Sequence, residues 1–225
     1  MSGTSRGAER APYRLGLRAD AQVERRRRVL EAAEALFHEK GLEATGMREI
    51  AQRAGVGTGT LFLYAPDKRG LLRLIHDEQL RLCQERAFAT VDPAAGLVDQ
   101  IVHVFGAQYV YLSADTRLSL QAVQEASFVP APTRDGTSFE DSDYFRRRIA
   151  LRQRLADLVI AQQERGTVVP GVDPIDVAEI AISIYVTEVR EWLIGIEIGN
   201  EKTDVEKGVE QLRRRLAFAL SSAFV

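Results

Sequence analysis

ATGMREIAQRAGVGTGTLFLY, residues 44–64, is the stretch on which the fold turns. Met47, Ile50, Ala51 and Ala54 recur at helical spacing, Gly55-Val56-Gly57 interrupts the pattern, and Leu61 and Tyr64 resume it. Two short helices joined by a three-residue turn containing glycine make a helix-turn-helix. Ala51 is small where such helices cross, and Gly55 adopts the positive φ of the turn without a Cβ penalty. Upstream, Val29, Ala33, Leu36 and Phe37 share one face of a longer helix that Gly41 ends. Ile50, Ala54, Val56, Leu61 and Tyr64 are the apolar positions that hold the pair against it, and Thr45 or Gly46 can start the second helix. Any one of these features also fits a helical hairpin with no role on DNA. The whole set at this spacing points to a DNA-binding module.

Working outward, helical periodicity continues nearly to the C-terminus, with breaks near Pro66, Pro93, Pro130, Pro132, Pro170 and Pro174. The pattern predicts an all-α chain of nine helices, over 22–40, 47–54, 58–64, 68–90, 94–113, 115–127, 139–165, 174–198 and 203–223. Residues 1–20 read as a disordered basic arm, 21–67 as a three-helix DNA-binding domain, and 68–225 as a larger six-helix domain for ligand binding and dimerisation. The Pro, Thr, Asp, Ser and Gly-rich run from Val129 to Asp141 reads as a loose connection.

Composition narrows the function classes. The 45% apolar and 28% charged content is that of a soluble globular protein. Cys83 is the single cysteine, which rules out an intrachain disulfide and suits a reducing compartment. No apolar run is long enough for a membrane helix, and the arginine-bearing N-terminus lacks a signal peptide's apolar core, so a cytoplasmic protein is expected. The net charge of −2 hides a division: residues 1–70 carry 13 Lys+Arg against 9 Asp+Glu, and eight arginines fall in the first 30 residues. A basic end suits a polyanionic partner. His38, His76 and His103 are widely spaced and form no metal motif. Phosphate-binding, dinucleotide and nucleophile-elbow signatures are absent, so neither metal nor cofactor is expected and an enzyme is disfavoured. A helical adaptor that binds protein is the alternative from another class.

The runs RVLEAAEALFHEKG (residues 28–41) and ATGMREIAQRAGVGTGTLFLY (residues 44–64), with Lys68 after them, resemble the DNA-binding module of TetR-family repressors. The resemblance implies an operator-binding N-terminal module, a divergent helical body that binds a small molecule, and a dimer formed by the last two helices. It assigns Thr45 to a phosphate at the start of the second helix. Thr58, Gly59, Thr60, Phe62, Leu63 and Tyr64 would lie on or beside the recognition helix, and Lys68 would reach a further phosphate. Hydroxyls, amides and lysines position a protein on phosphates without reading sequence, whereas Leu63 suits a thymine methyl. Arg28, Gly46 and Arg48 complete the expected DNA surface. Gly46, Gly57 and Phe62 stand where the family usually has hydroxyls, and Ala65 replaces an aromatic, which predicts looser packing. Arg6, Arg10, Arg14 and Arg18 recur every four residues, as a minor-groove arm or a solvated tail would.

Two apolar stripes on the eighth helix, and a 4-3-4-4 spacing of Val205, Val209, Leu212, Leu216 and Leu220 on the ninth, suit a four-helix interface in a homodimer. Ile180, Ile184, Val209, Leu212 and Leu216 are the expected interface residues; burial inside one protomer is the plainer reading. Gln100, His103, Tyr109, Tyr111, Tyr185, Glu188 and Trp192 lie on helices that in the family surround a pocket. Together with Phe105 they suggest an apolar or aromatic effector, although aromatics at helical spacing also make ordinary core.

Overall fold

The computed structural model describes residues 10–126, 143–199 and 204–224. Nine α-helices are found among them: α1 (Arg10–Lys40), α2 (Met47–Ala54), α3 (Thr58–Leu61), α4 (Lys68–Ala89), α5 (Leu97–Ser113), α6 (Thr116–Ala126), α7 (Asp143–Glu164), α8 (Pro174–Gly199) and α9 (Val205–Ala219). The all-α expectation holds. Pairing of extended backbone is limited, among the described residues, to a bridge between Val168 and Phe224.

Contacts divide the chain into two units, residues 1–75 and 76–225. The division falls inside α4 rather than at its start, where residues 67 and 68 were expected to part. In the first unit, α1 buries Val29, Leu30, Ala33, Leu36 and Phe37. It ends where Gly41, at φ 84°, donates its N–H to Phe37 O at 2.8 Å. α1 begins at Arg10, so the second half of the expected disordered arm is helical; residues 1–9, with Arg6, lie outside the described residues.

α2 matches its expected bounds because its ends are chemically marked. Gly46, in extended backbone, opens it, and Gly55 closes it at φ 66°. There Val56 N–H bonds Ala51 O and Gly55 N–H bonds Gln52 O, the paired closure that a left-handed glycine permits. Ile50, Ala51 and Ala54 face inward, as the periodicity requires. α3 is shorter than expected, ending at Leu61 rather than residue 64. Its chain tightens into i→i+3 bonds from Leu63 N–H to Thr60 O and from Tyr64 N–H to Leu61 O. Ala65 does not loosen the unit: it is 4% exposed, and a Cβ on Gly70 would lie 3.1 Å from its own Cβ. A larger side chain at either position would collide, so the missing aromatic is matched by a glycine.

The second unit is built around α5, whose Leu97, Ile101, Val104, Phe105, Tyr109 and Leu112 are all essentially inaccessible. α7 packs Leu155 and Val159 into the same core, α8 packs Ala178, Ala181, Tyr185 and Leu193, and α9 packs Leu212 and Leu216, with Leu220 just after its end. The Phe105 and Tyr185 rings stack at 4.3 Å with 4° between planes. Tyr109 meets Trp192 edge-on at 4.8 Å. Burial at this density stabilises by about 1.5–3 kcal/mol per large side chain before chain entropy is counted. α9 comes so close that a Cβ on Gly208 would sit 2.8 Å from Trp192 Nε1. α5 begins three residues later than expected, because Asp92 organises a turn whose side chain accepts from Ala94 N–H at 2.8 Å. Residues 127–142 lie outside the described residues, including the connection expected from Val129 to Asp141.

His76 on α4 is 3% exposed, and its Nδ1 has no hydrogen-bond partner. Burial pushes its pKa down to about 4, so the native ring stays neutral while the unfolded ring takes a proton near pH 6.5. The unfolded state therefore binds more protons between those values, and stability falls as pH drops through that window, by about 2 kcal/mol at pH 5. His76→Leu should remove this loss. Urea unfolding at pH 7.5 and pH 5 should show the variant gaining about 2 kcal/mol on the wild type at the lower pH. An offset independent of pH would refute the assignment.

Candidate nucleic-acid interface and body cavity

In the first unit, the recognition element presents carbon to solvent. Leu63 is 82% exposed and Phe62 52%, on a segment whose Leu61 is fully buried. Core packing accounts for Leu61 and leaves the other two unexplained. Thr58, Thr60 and Tyr64 are half-buried beside them, and Gly59 is exposed. Arg48 extends from the first turn of α2, exposed and without a carboxylate partner among the described residues. The Gly46 side has no side-chain cap, which leaves the first amides of α2 open to an incoming acceptor. Arg28 is exposed on α1, and its guanidinium would lie 3.3 Å from a Cβ placed on Gly55.

Two expected phosphate contacts are engaged elsewhere. Thr45 is 3% exposed, and its hydroxyl donates to Gly41 O at 2.8 Å. It ties the end of α1 to the start of α2 and cannot meet a phosphate from that position. Lys68 Nζ donates to Glu43 O at 2.8 Å and lies 3.2 Å from the Glu43 carboxylate. Its charge sits beside the loop that opens α2. Arg53 is held by two bonds of 2.6 Å to Glu39, whose carboxyl that guanidinium keeps below the usual range. The side chains of the arginines at 10, 14 and 18 lie outside the described residues.

The second unit contains a cavity of about 140 Å³. Leu80 and Gln84 of α4, Gln108 of α5, Arg147 and Leu151 of α7 and Tyr185 of α8 lie on it. Of the residues expected to contact a ligand, only Tyr185 is among its walls. Gln100 is buried by other work: it donates to Asp92 O at 2.9 Å and accepts from Gln162 Nε2 at 3.1 Å, bracing the start of α5. His103 is exposed, 3.0 Å from the Thr90 hydroxyl. Glu188 is buried under α9, accepting from Gln211 at 2.9 Å. Trp192 donates Nε1 to Asp204 O at 3.2 Å. Tyr109 is fully buried with no partner for its hydroxyl, and Tyr111 is half-buried with its ring 6.0 Å from His76. Helical spacing marks which residues turn inward but cannot separate core from cavity wall.

Two expected interface residues are corrected in the same way. Leu212 and Leu216 are wholly inside their own protomer's core. Val209 packs on Gly106, and a Cβ there would lie 3.7 Å from it. Ile184 is half-buried, whereas Ile180 of α8 is 44% exposed and Phe218 of α9, which the spacing did not single out, is 84% exposed.

Residues 29–75 match the family described as bacterial regulatory proteins, tetR family. Over this N-terminal stretch the chain is similar to the TetR family. The HTH-type transcriptional repressor KstR of Rhodococcus jostii is 46% identical over 74 residues, covering 32% of this chain and 35% of that one. The A-factor receptor protein of Streptomyces griseus is 26% identical over 166 residues, covering 71% and 51% respectively. The chain thus spans about a third to a half of the length of these TetR-type relatives. Among solved structures, Thermus thermophilus FadR in complex with lauroyl-CoA superposes with a TM-score of 0.64 at 22% identity, over 85% of this chain and 92% of that one. A TetR regulator from Rhodococcus sp. RHA1 gives 0.64 at 23% identity, over 89% and 97%. At such identities the shared property is the fold. No described helix is long and apolar enough to cross a membrane.

Gln84, Gln108 and Arg147 are cavity residues that the aromatic pattern missed. Gln108 could have been found, because it occupies an apolar position in the Ile101, Phe105, Leu112 stripe of α5. A polar side chain on a buried stripe needs an internal partner.

Thr45 and Leu63 divide the TetR module into a brace and a free surface. Thr45→Val removes a buried donor and should lower the free energy of unfolding by about 1–2 kcal/mol. Leu63→Ser, outward-facing, should change it by less than about 0.5 kcal/mol. Chemical denaturation followed by circular dichroism decides this, and equal effects would contradict the placement of both residues.

Proposed function

We propose that this chain is a homodimeric transcriptional repressor that leaves its operator when a small molecule occupies the cavity of the second unit. The observation that carries the reading is the outward pair Phe62 and Leu63 on a glycine-closed helix-turn-helix. Apolar side chains exposed on so short an element suit base methyl groups in a major groove, with Arg48, Thr58, Thr60, Tyr64 and the open amides of α2 placed for phosphates. Arg28, exposed on α1, serves as flanking positive charge. Outward Ile180 and Phe218, together with Ile184, serve the partner protomer.

The comparisons support a ligand-bearing body by analogy. FadR proteins of this fold carry lauroyl-CoA or stearoyl-CoA, and SmeT carries triclosan. KstR and the Staphylococcus aureus protein SAB2452, matched over 74 and 55 residues, are named as a transcriptional repressor and a transcriptional regulator. α4 carries Lys68 at one end and the cavity residues Leu80 and Gln84 further along. It is the element through which occupancy would reach the DNA-binding unit. A ligand that binds both states equally shifts nothing, so release requires a preference of about 10⁴-fold for the DNA-free state.

Fluorescence anisotropy against the protein's own upstream region tests the reading. Two protomers should bind an inverted repeat whose half-sites are about 34–36 Å apart, or a multiple of that. Leu63→Ser should weaken binding by about 1–3 kcal/mol, and Ile180→Glu should lower operator affinity by favouring the monomer. Wild-type affinity in both variants would refute the reading.

A further inference from the structure

The cavity among α4, α5, α7 and α8 has a two-sided chemistry. Leu80, Leu151 and Ile182 line it with carbon, yet three arginines reach it against a single aspartate, Asp77. Its volume of about 140 Å³ is close to that of a dry cavity known to admit benzene. The apolar part of an occupant is therefore about the size of one ring or a chain of about six carbons, with the remainder of a longer chain reaching the open side.

The arginines differ in how fully their charge is answered. Arg81 bonds both Glu78 and Glu85. Arg147 donates to the Asp77 carboxylate at 2.7 Å, and the Asp77 side chain is only 9% exposed. Arg148 reaches Glu179 only at 3.4 Å, while Arg152 holds the same carboxylate at 3.0 Å. Arg148 thus brings a loosely committed guanidinium to the wall, with donors in a geometry that fits a carboxylate.

A second observation points inward. Gln108 is fully buried; its Oε1 accepts from the Tyr185 hydroxyl at 2.9 Å and from Gln84 Nε2 at 3.5 Å. Its Nε2 has no partner. A buried amide donor left unmade is unfavourable, and an oxygen acceptor in the cavity would relieve it. Plain hydrocarbon would answer neither the Gln108 amide nor Arg148.

We propose that the cavity binds a small apolar carboxylic acid, held by its carboxylate at Arg148 with its hydrocarbon against Leu80, Leu151 and Ile182. This rests on the reading of the second unit as a ligand-binding body, and it gives that ligand a charge and a size. An acid is favoured over the alcohol or amine of the same chain, because the lining adds positive charge faster than negative.

Isothermal calorimetry with octanoate, 1-octanol and octylammonium on the full chain, without DNA, reads the preference directly. Octanoate should bind one per protomer at least tenfold tighter than 1-octanol, and octylammonium should give no saturable heat. Arg148→Gln should abolish the preference and leave 1-octanol binding unchanged. Glu179 keeps Arg152 in that variant, so the fold is not at stake, and a circular-dichroism melt confirms it. Equal binding of acid and alcohol, binding of the amine, no saturable binding of octanoate, or an undiminished preference in Arg148→Gln would each overturn the proposal. Anisotropy on operator DNA separates it from the wider reading. Octanoate that binds with this preference and leaves operator affinity unchanged overturns ligand-controlled release alone. An effector that releases DNA while octanoate gives no saturable binding overturns the acid assignment alone.

Discussion

Burying one broad face of α5 imposes the constraint from which the second unit follows. Where α5 faces α7, α8 and α9, no solvent hydrates its polar side chains, so an amide on that face is costly unless it is answered from within. Gln100 finds Asp92 O and Gln162, and this fixes the turn that starts α5. Gln108 finds Tyr185 and Gln84, which brings α8 and α4 to the same amide. The Phe105–Tyr185 stack then holds the tyrosine whose hydroxyl completes the arrangement. Replacing that amide with carbon would remove the one feature that makes the interior specific at this point. The cavity lies where this polar demand is only partly met.

The first unit works by a different economy. Its glycines and small residues set geometry, while its apolar side chains divide between inside and outside. Gly55 closes α2, Ala51 and Ala54 let the helices approach, and Thr45 ties the preceding loop to α1. What remains outward is a short element with two uncovered hydrophobics. Its stiffness comes from the buried Leu61 and the helices around it, because a four-residue helix has little stability of its own.

Much of this was legible in the sequence. The helix-turn-helix announces itself because its constraints are local: glycine for positive φ, alanine at a crossing, and hydrophobics three and four residues apart. The bounds of α2 followed from such signals alone. The site was less legible for reasons that are equally physical. Leu212 and Leu216 share a stripe with Val209, and periodicity cannot say whether the helix facing a stripe belongs to the same protomer. Glu188 and Trp192 looked like polar and aromatic cavity groups, but both are spent joining α8 to α9 or its cap. Thr45 occupies a position where a hydroxyl could face either a phosphate or a carbonyl, and only the path of the loop decides. Gln108, a polar residue on a buried stripe, carries a signal that the spacing of aromatics does not.

The ion pairs of the first unit alter what its arginine and lysine content means. Thirteen Lys+Arg fall within residues 1–70, yet Arg27, Lys40, Arg53, Lys68 and Arg69 each lie within reach of a carboxylate. A cation already neutralised by its own chain displaces no condensed ion from a nucleic acid unless that internal pair first opens. The thermodynamic valence of this surface is therefore smaller than its count of basic residues. Its affinity for a polyanion would decay less steeply with ionic strength than thirteen independent charges would dictate.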